Sequence, residues 1–378
     1  MNVLVFNVGS TTLKFAVIDS IRGERIRSGL YDRIGQTGGE AIDHVSAVQM
    51  ALDSVDQNQI DAIAHRIVHG GERFTRPTKV DSTVLENLAK LDHLAPLHNP
   101  AARKVVEAIA EFGLPQTLVF DTAYYATLAP EAYRYALPDF AYRDHSVRRY
   151  GFHGTSHQWI TQLAIEHLRD CEPTDGGNAN EAPLRIISLH LGGGCSATAS
   201  IDGMAVDTSM GLTPLEGLVM ASRCGDIDPA IVLHLIRDAG LSVDQVDSVL
   251  NKQSGLLGLC GDSDMRAVLH RRTTGDRAAE LAVKIYVRKI VKTIGGFIAI
   301  LGGLDALVFS AGVGEHSPEI RRLVLTSLKC FGAHLDTSKN ESQDQAIRVN
   351  EISDAASHVK VLVVSTDEEL AIARQVTE

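Results

Sequence analysis

The chain has 378 residues, 44% hydrophobic and 22% charged, with a net charge of −11 at pH 7. That length exceeds one typical domain and predicts two, and the apolar content is that of a soluble globular protein. The acid excess excludes a nucleic-acid surface, which needs basic patches, and no apolar run approaches the roughly 18 residues of a membrane helix.

No basic-then-apolar leader precedes Val3, and the five cysteines are scattered without a CxxC pair. Reduced thiols in a cytoplasm are expected.

The first predicted element is a hairpin. VLVFNVGSTTLKFAVID (3–19) runs apolar, turns at Gly9 with Ser10, Thr11 and Thr12, and returns with a single Lys14 in the second strand. Backbone N–H groups at such a turn form an anion cradle, to which hydroxyls add donors. DAIAHRIVHGG (61–71) reads as a strand ending in Arg66, His69 and two glycines. LAPLHNP then carries His98, and QTLVFDTA (116–123) is a strand delivering Asp121 at its end.

RRYGFHGTSH (148–157) sets His153 and His157 four apart, the spacing of one helix face. That spacing is also a zinc half-site, although HExxH is absent. The polar stretch 171–183 is expected to be a loop.

IISLHLGGGCSATASID (186–202) repeats the opening hairpin at a constant offset of 183 residues. Gly9 falls on Gly192, Asp19 on Asp202, and Asn7 on His190. A looser echo joins 61–72 to 305–315. Two related halves, each opening with a glycine-turned hairpin, predict duplicated α/β domains beside a cleft.

MGLTPLEGLVMASRCGDIDP (210–229) places Arg223 in a Gly-rich setting, and Arg66 likewise lies in an apolar one. An unpaired guanidinium is costly in such places, and its fork suits carboxylate or phosphoryl oxygens. A long helix is predicted over 277–301. FSAGVGEHSPEIR (309–321) reads as strand, GxGE turn, then a helix with Ser317 as N-cap and Pro318 at N1. The last strand, KVLVVSTD (360–367), ends in Asp367, Glu368 and Glu369, read as a helix start, a Mg²⁺ site, or both.

Nine of these segments in order (NVGSTTLKF, HRIVHGGE, LAPLHNP, FDTAYY, RRYGFHGTSH, MGLTPLEG, SRCGDIDP, SAGVGEHS and TDEEL) make the chain resemble the acetate kinases. These belong to the acetate and sugar kinase/Hsp70/actin superfamily. The resemblance implies Mg²⁺-dependent phosphoryl transfer from ATP to acetate, giving acetyl phosphate and ADP, with Mn²⁺ as an alternative metal. It implies two RNase H-like (actin-like ATPase) domains flanking a nucleotide cleft, in a homodimer. The domains are expected at 1–126 plus 370–378 and at 127–369.

Residue by residue, it implies metal association for Asn7 and Glu368 and a first phosphate hairpin of Ser10, Thr12 and Lys14. Arg66 is expected to bind acetate or the phosphoryl group, Asp121 to be a catalytic aspartate, and His153 and Arg223 to stabilise the transition state. His190, Leu191, Gly192, Gly193 and Gly194 resemble a second phosphate loop. Asp264, Met265 and Arg266, with Gly312, Val313, Gly314, Glu315 and His316, resemble the nucleotide site. Val68, Leu97, His98, Phe152 and Pro214 resemble the acetate pocket.

Three departures stand out: GGGCS where GNGSS is usual, Tyr125 where histidine is common, and His316 where asparagine is common. A carboxylate acceptor arrives ionised and needs no general base, so Asp121 is expected to orient an arginine or the metal. The alternatives are a propionate or butyrate kinase of the same family, a non-kinase actin- or Hsp70-like ATPase, and a zinc hydrolase.

Overall fold

The computed structural model describes residues 1–96, 98–170, 182–344 and 346–377. The chain forms two compact units: 1–126 with 152–159 and 367–378, and 127–151 with 160–366.

The first unit is built on a six-stranded sheet of β1 (Asn2–Val8), β2 (Leu13–Asp19), β3 (Glu24–Tyr31), β4 (Ala62–Ile67), β5 (Thr78–Lys79) and β6 (Gln116–Phe120). Its order is β3-β2-β1-β4-β6-β5. The second unit holds β7 (Arg185–Leu191), β8 (Cys195–Ile201), β9 (Met204–Thr208), β10 (Ala306–Ser310), β11 (Val349–Glu351) and β12 (Lys360–Val364). Read from the other edge, its order is β9-β8-β7-β10-β12-β11, the same topology.

In both sheets the opening hairpin is antiparallel, the next two pairings are parallel, and the far edge strand is antiparallel. β1 and β7 also share one burial profile, with Asn7 and His190 at the matching half-exposed position. The duplication seen in the sequence is therefore a duplication of fold.

The helices include α1 (His44–Asp53), α2 (Ser82–Ala89), α3 (Asn99–Ala108), α4 (Gly154–Asp170), α5 (Pro229–Arg237), α6 (Met265–Thr273), α7 (Arg277–Leu301), α8 (Ala311–His316), α9 (Pro318–Thr326), α10 (Thr337–Glu341) and α11 (Glu368–Thr377). α1 and α3 bury Val48, Leu52, Val105 and Val106 in the core formed with the first sheet. α7 spans the predicted 277–301, capped by Asp276 at its start and by left-handed Gly302 at its end. Among the described residues no helix is long and apolar enough to cross a membrane. The four described cysteines are free; Cys171, and 171–181 of the predicted loop, lie outside the described residues.

Two local expectations are corrected. The GxGE segment is the short helix α8 rather than a turn, although Ser317 and Pro318 open α9 as predicted. His153 does not share a helix face with His157. It stands just before α4 with a left-handed φ of 57°, and its carbonyl accepts the His157 N–H at 2.9 Å. The next residue packs tightly against Asp121: a Cβ on Gly154 would come within 1.9 Å of the Asp121 carbonyl oxygen.

Candidate functional site

In the first unit, register places Asn7 beside Arg66 across the β1–β4 pair. Asp121 begins the turn after β6 and is 1% exposed. Arg66 Nε donates to Asp121 Oδ1 at 2.9 Å, and a second guanidinium nitrogen donates to Oδ2 at 2.5 Å. The third donates to Asn7 Oδ1 at 2.9 Å, and Glu368 Oε2 lies 3.9 Å from Nε. Thr155 Oγ1 donates to Asp121 Oδ1 at 3.3 Å. Burial disfavours the arginine's charge, but Asp121 and then Glu368 outweigh it and hold Arg66 firmly protonated. For Glu368, burial dominates and raises its carboxyl above the usual range, with Arg66 pulling the other way.

Lys14 Nζ sits 2.7 Å from Glu369 Oε1, and Arg25 reaches both Glu369 and Asp367. Burial opposes ionisation of Glu369, and Lys14 with Arg25 overcomes it, leaving the carboxyl below its usual range. Asp367 accepts the Leu370 N–H at 3.2 Å, so the acidic cluster starts a helix, as expected. The Gly9 turn closes with a 2.9 Å bond from its N–H to the Thr12 carbonyl. A Cβ on Gly9 would meet Thr12 Oγ1 at 2.3 Å, so a larger residue there would displace the Thr12 hydroxyl; Ser10 is exposed and Thr12 half-buried.

Phe152 is 2% exposed and meets the His69 ring edge-on at 5.6 Å between centroids. Tyr125, the departure from histidine, donates its hydroxyl to the Phe152 carbonyl at 2.9 Å and so supports the chain just before His153. Val68 is half-buried after β4. His98 starts α3, its carbonyl accepting the Ala102 N–H at 3.0 Å. Leu97 lies outside the described residues.

The second unit contains a cavity of about 630 Å³. Gly192, Gly193, Asp264, Met265, Arg266, Gly312, Val313 and His316 line it, joining most of the predicted nucleotide residues. Gly193 and Gly312 lack a left-handed φ, and a Cβ on either would meet no atom within 4 Å. Neither the backbone nor the packing requires glycine there. The missing side chains leave the main chain there open to close approach.

Five residues expected here do not line the cavity. Leu191 is fully buried, and the Gly194 carbonyl closes the loop by accepting the Gly192 N–H at 3.0 Å. Gly314 packs on Phe309 and Leu191. Glu315 Oε1 accepts the N–H groups of Ala311 and Thr366 at 2.9 and 3.0 Å. His190, next to last in β7, lies outside the lining as well.

The thiol of Cys195 does not replace a ligand-facing hydroxyl. It is fully buried, bonded to the Gly192 carbonyl and the Tyr286 hydroxyl, and burial pushes it up to about 11. Tyr286, Ser263 and Glu319 line the cavity without a sequence signal that singles them out. Asp264 caps α6 and pairs with Arg266 at 2.7 Å.

Arg223 is largely desolvated, which lowers its pKa, and among the described residues it meets no carboxylate. Its guanidinium donates to the Pro214 carbonyl at 3.3 Å. The loop carrying Pro214 is pinned through Glu216, which accepts from Arg149 at 2.7 Å and from the Tyr135 hydroxyl.

Asn7 Oδ1 and the Glu368 carboxylate offer oxygen ligands. That set suits Mg²⁺, which takes one or two protein carboxylates and completes its shell with water and substrate phosphates. Among the described residues no group of three or more His, Cys, Asp and Glu could hold a metal such as zinc.

A family model described as the Acetokinase family matches residues 2–374. The chain is 44% identical to the acetate kinase of Micrococcus luteus, covering 99% of this chain and 98% of that one. Among solved structures it is similar to a propionate kinase from Francisella tularensis at 35% identity and a TM-score of 0.90, covering 99% and 98% of the two chains. It is also similar to Porphyromonas gingivalis acetate kinase, at 37% identity and a TM-score of 0.89, covering 98% of each. Matching over nearly its whole length, with both sheets intact, the chain belongs to the Acetokinase family.

Proposed function

We propose that this protein is an acetate kinase, transferring the γ-phosphoryl group of ATP directly and reversibly to acetate with Mg²⁺, or Mn²⁺ in its place. The observation that carries the reading beyond the family is the Arg66–Asp121 pair. Both carboxylate oxygens of Asp121 are committed to Arg66, so Asp121 is an orienter and not a free base. A hydroxyl acceptor needs a general base; a carboxylate does not.

Arg66 then receives the acid's oxygens or the transferring group, held in line by its own pair of hydrogen bonds to Asp121. His153 and Arg223 donate to charge developing on the phosphoryl oxygens, a task for which an arginine supplies about 10³-fold or more in rate. Phe152, Val68 and Pro214 are the residues proposed to contact the acetate methyl. Ser10, Thr12, Lys14 and the 190–194 loop hold phosphates, and the second-unit cavity takes the nucleoside. A divalent cation at Asn7 and Glu368 would neutralise phosphate charge when bound.

The two units serve as acceptor-side and nucleotide-side domains. A cytoplasmic homodimer is proposed, supported by α5: it is apolar (PAIVLHLIR), yet none of its residues is buried. The similarity to a propionate kinase favours propionate as the second reading, since a methylene in an apolar pocket is worth only about 1–3 kcal/mol.

The test is hydroxamate trapping of acyl phosphate with ATP and Mg²⁺ on acetate, propionate and butyrate, with Arg223→Ala alongside. The highest kcat/KM on acetate, with a nearly inactive variant, is expected. A clear preference for propionate moves the assignment to that acid. ATP binding without hydroxamate from any acid overturns the kinase reading.

A further inference from the structure

α8 presents Gly312, Val313 and His316 to the large cavity, yet it is poorly equipped to hold that position by itself. It has six residues, two of them glycine, and opens at Ala311 with a left-handed φ of 62°. A helix that short leaves most of its N–H and C=O groups without internal partners and is unstable in isolation.

Two charged side chains supply the missing partners. At the start of α8, Glu315 Oε1 accepts from Ala311 N–H at 2.9 Å and from Thr366 N–H, just past β12, at 3.0 Å. At its end, one Arg321 nitrogen donates to the carbonyls of Gly314 and Glu315, each at 2.8 Å. The rest of that guanidinium donates to Asn340 Oδ1 at 2.7 Å and to the Asn340 carbonyl at 2.8 Å. Asn340 in turn donates to the Pro318 carbonyl at 3.1 Å. One guanidinium therefore fastens α8 to α9 and α10.

Arg321 is only 1% exposed, and among the described residues it meets no carboxylate. Burying a cation against neutral acceptors is a poor way to add stability, because an apolar side chain of similar volume avoids the desolvation cost. Its directional donors do something an apolar residue cannot: they fix four acceptors at once. Neither Glu315 nor Arg321 lines the large cavity; both line a separate one of about 490 Å³ behind α8.

We propose that Glu315 and Arg321 form a two-ended clamp that sets nucleotide affinity by positioning α8, without either residue touching the nucleotide. The inference rests on the reading of the large cavity as the nucleotide site.

The test is equilibrium titration of purified protein with mant-ADP, with KM for ATP and for acetate measured in parallel. The variants are Arg321→Met, Arg321→Lys and Glu315→Gln. Arg321→Met should weaken mant-ADP binding roughly tenfold or more, the scale of a charge-assisted hydrogen bond. It should raise KM for ATP while KM for acetate stays within about twofold. Arg321→Lys, which keeps the charge and loses the fork, should recover only part of the affinity.

Folded Arg321→Lys and Glu315→Gln proteins with wild-type mant-ADP affinity would overturn the clamp. So would equal increases in both KM values, the mark of general loosening. Should Arg321→Met not fold, the other two variants decide. Wild-type protein that fails to bind mant-ADP would instead remove the nucleotide reading of the cavity.

Discussion

Arg66 and Asp121 are joined by two parallel hydrogen bonds, from Nε to Oδ1 at 2.9 Å and from a terminal nitrogen to Oδ2 at 2.5 Å. The pairing spends both carboxylate oxygens and aims what is left of the guanidinium at Asn7. Asp121→Asn retains the shape but replaces an acceptor oxygen with a donor facing a buried cation. Misplacement of a catalytic group by even an ångström costs about 10²-fold, so kcat/KM for the acid should fall by about that factor or more. Because the acceptor is already ionised, the shape of the pH–rate profile between pH 6 and 8 should not change. Loss of an ionisation from that profile in Asp121→Asn would return Asp121 to the role of base.

The open space over Gly312 separates ligand binding from stability. Alanine there meets no protein atom within 4 Å and sits at an ordinary φ inside α8. Gly312→Ala should therefore raise stability by about 0.5–1 kcal/mol through the unfolded chain's lost freedom. Its methyl group enters the cavity, so KM for ATP should rise severalfold. Urea unfolding beside steady-state kinetics checks both signs. Unchanged ATP kinetics in a folded variant would mean that the nucleotide does not approach this part of the main chain.

Much of this architecture was legible in the sequence because it rests on local pattern. α7 begins and ends where its apolar periodicity and its glycine cap put it. The offset of 183 residues between hairpins became one topology used twice. Register also shows how the halves diverged. Asn7 pairs with Arg66 in the first sheet, whereas its counterpart His190 pairs with Ser310 in the second. The β4 position that holds Arg66 in the first sheet thus holds Ser310, on β10, in the second. What the sequence hid were side chains satisfying distant main chain: Glu315 on Thr366, Arg321 on Gly314, and Tyr125 on Phe152. Such bonds follow no spacing rule, and they also explain why a glycine-rich GxGE segment is a helix. The four-residue spacing of His153 and His157 misled because His153 stands outside the helix, which starts at Gly154, and has a left-handed φ.

The exposed apolar residues of α5 predict a cover. Ile231 and Leu233 are 42% and 48% exposed, an arrangement that leaves apolar area in water unless a second copy buries it. Ile231→Asp with Leu233→Asp should shift the protein from dimer to monomer in sedimentation velocity, with little change in secondary structure by circular dichroism. A wild-type protein that sediments as a monomer at micromolar concentration would remove the proposed dimer. A double variant that stays dimeric would move the interface elsewhere.

Two buried histidines set the acid limit of the first unit. Burial holds His65 down to about 4 and His69 to about 3, so both are neutral in the folded protein at pH 7. In the unfolded chain each titrates near 6.5. Between these values the unfolded state binds protons that the folded state refuses, so stability falls as pH drops. The contribution is complete above pH 6.5 and shrinks by about 2 kcal/mol per histidine between pH 7 and pH 5. Urea unfolding across that range measures the slope directly. His65→Leu should reduce the slope by about half, whatever its stability at pH 7, because it removes one of two titrating groups. An unchanged slope would show that His65 stays neutral in the unfolded chain as well, or charges freely in the folded one, and that other groups carry the acid sensitivity.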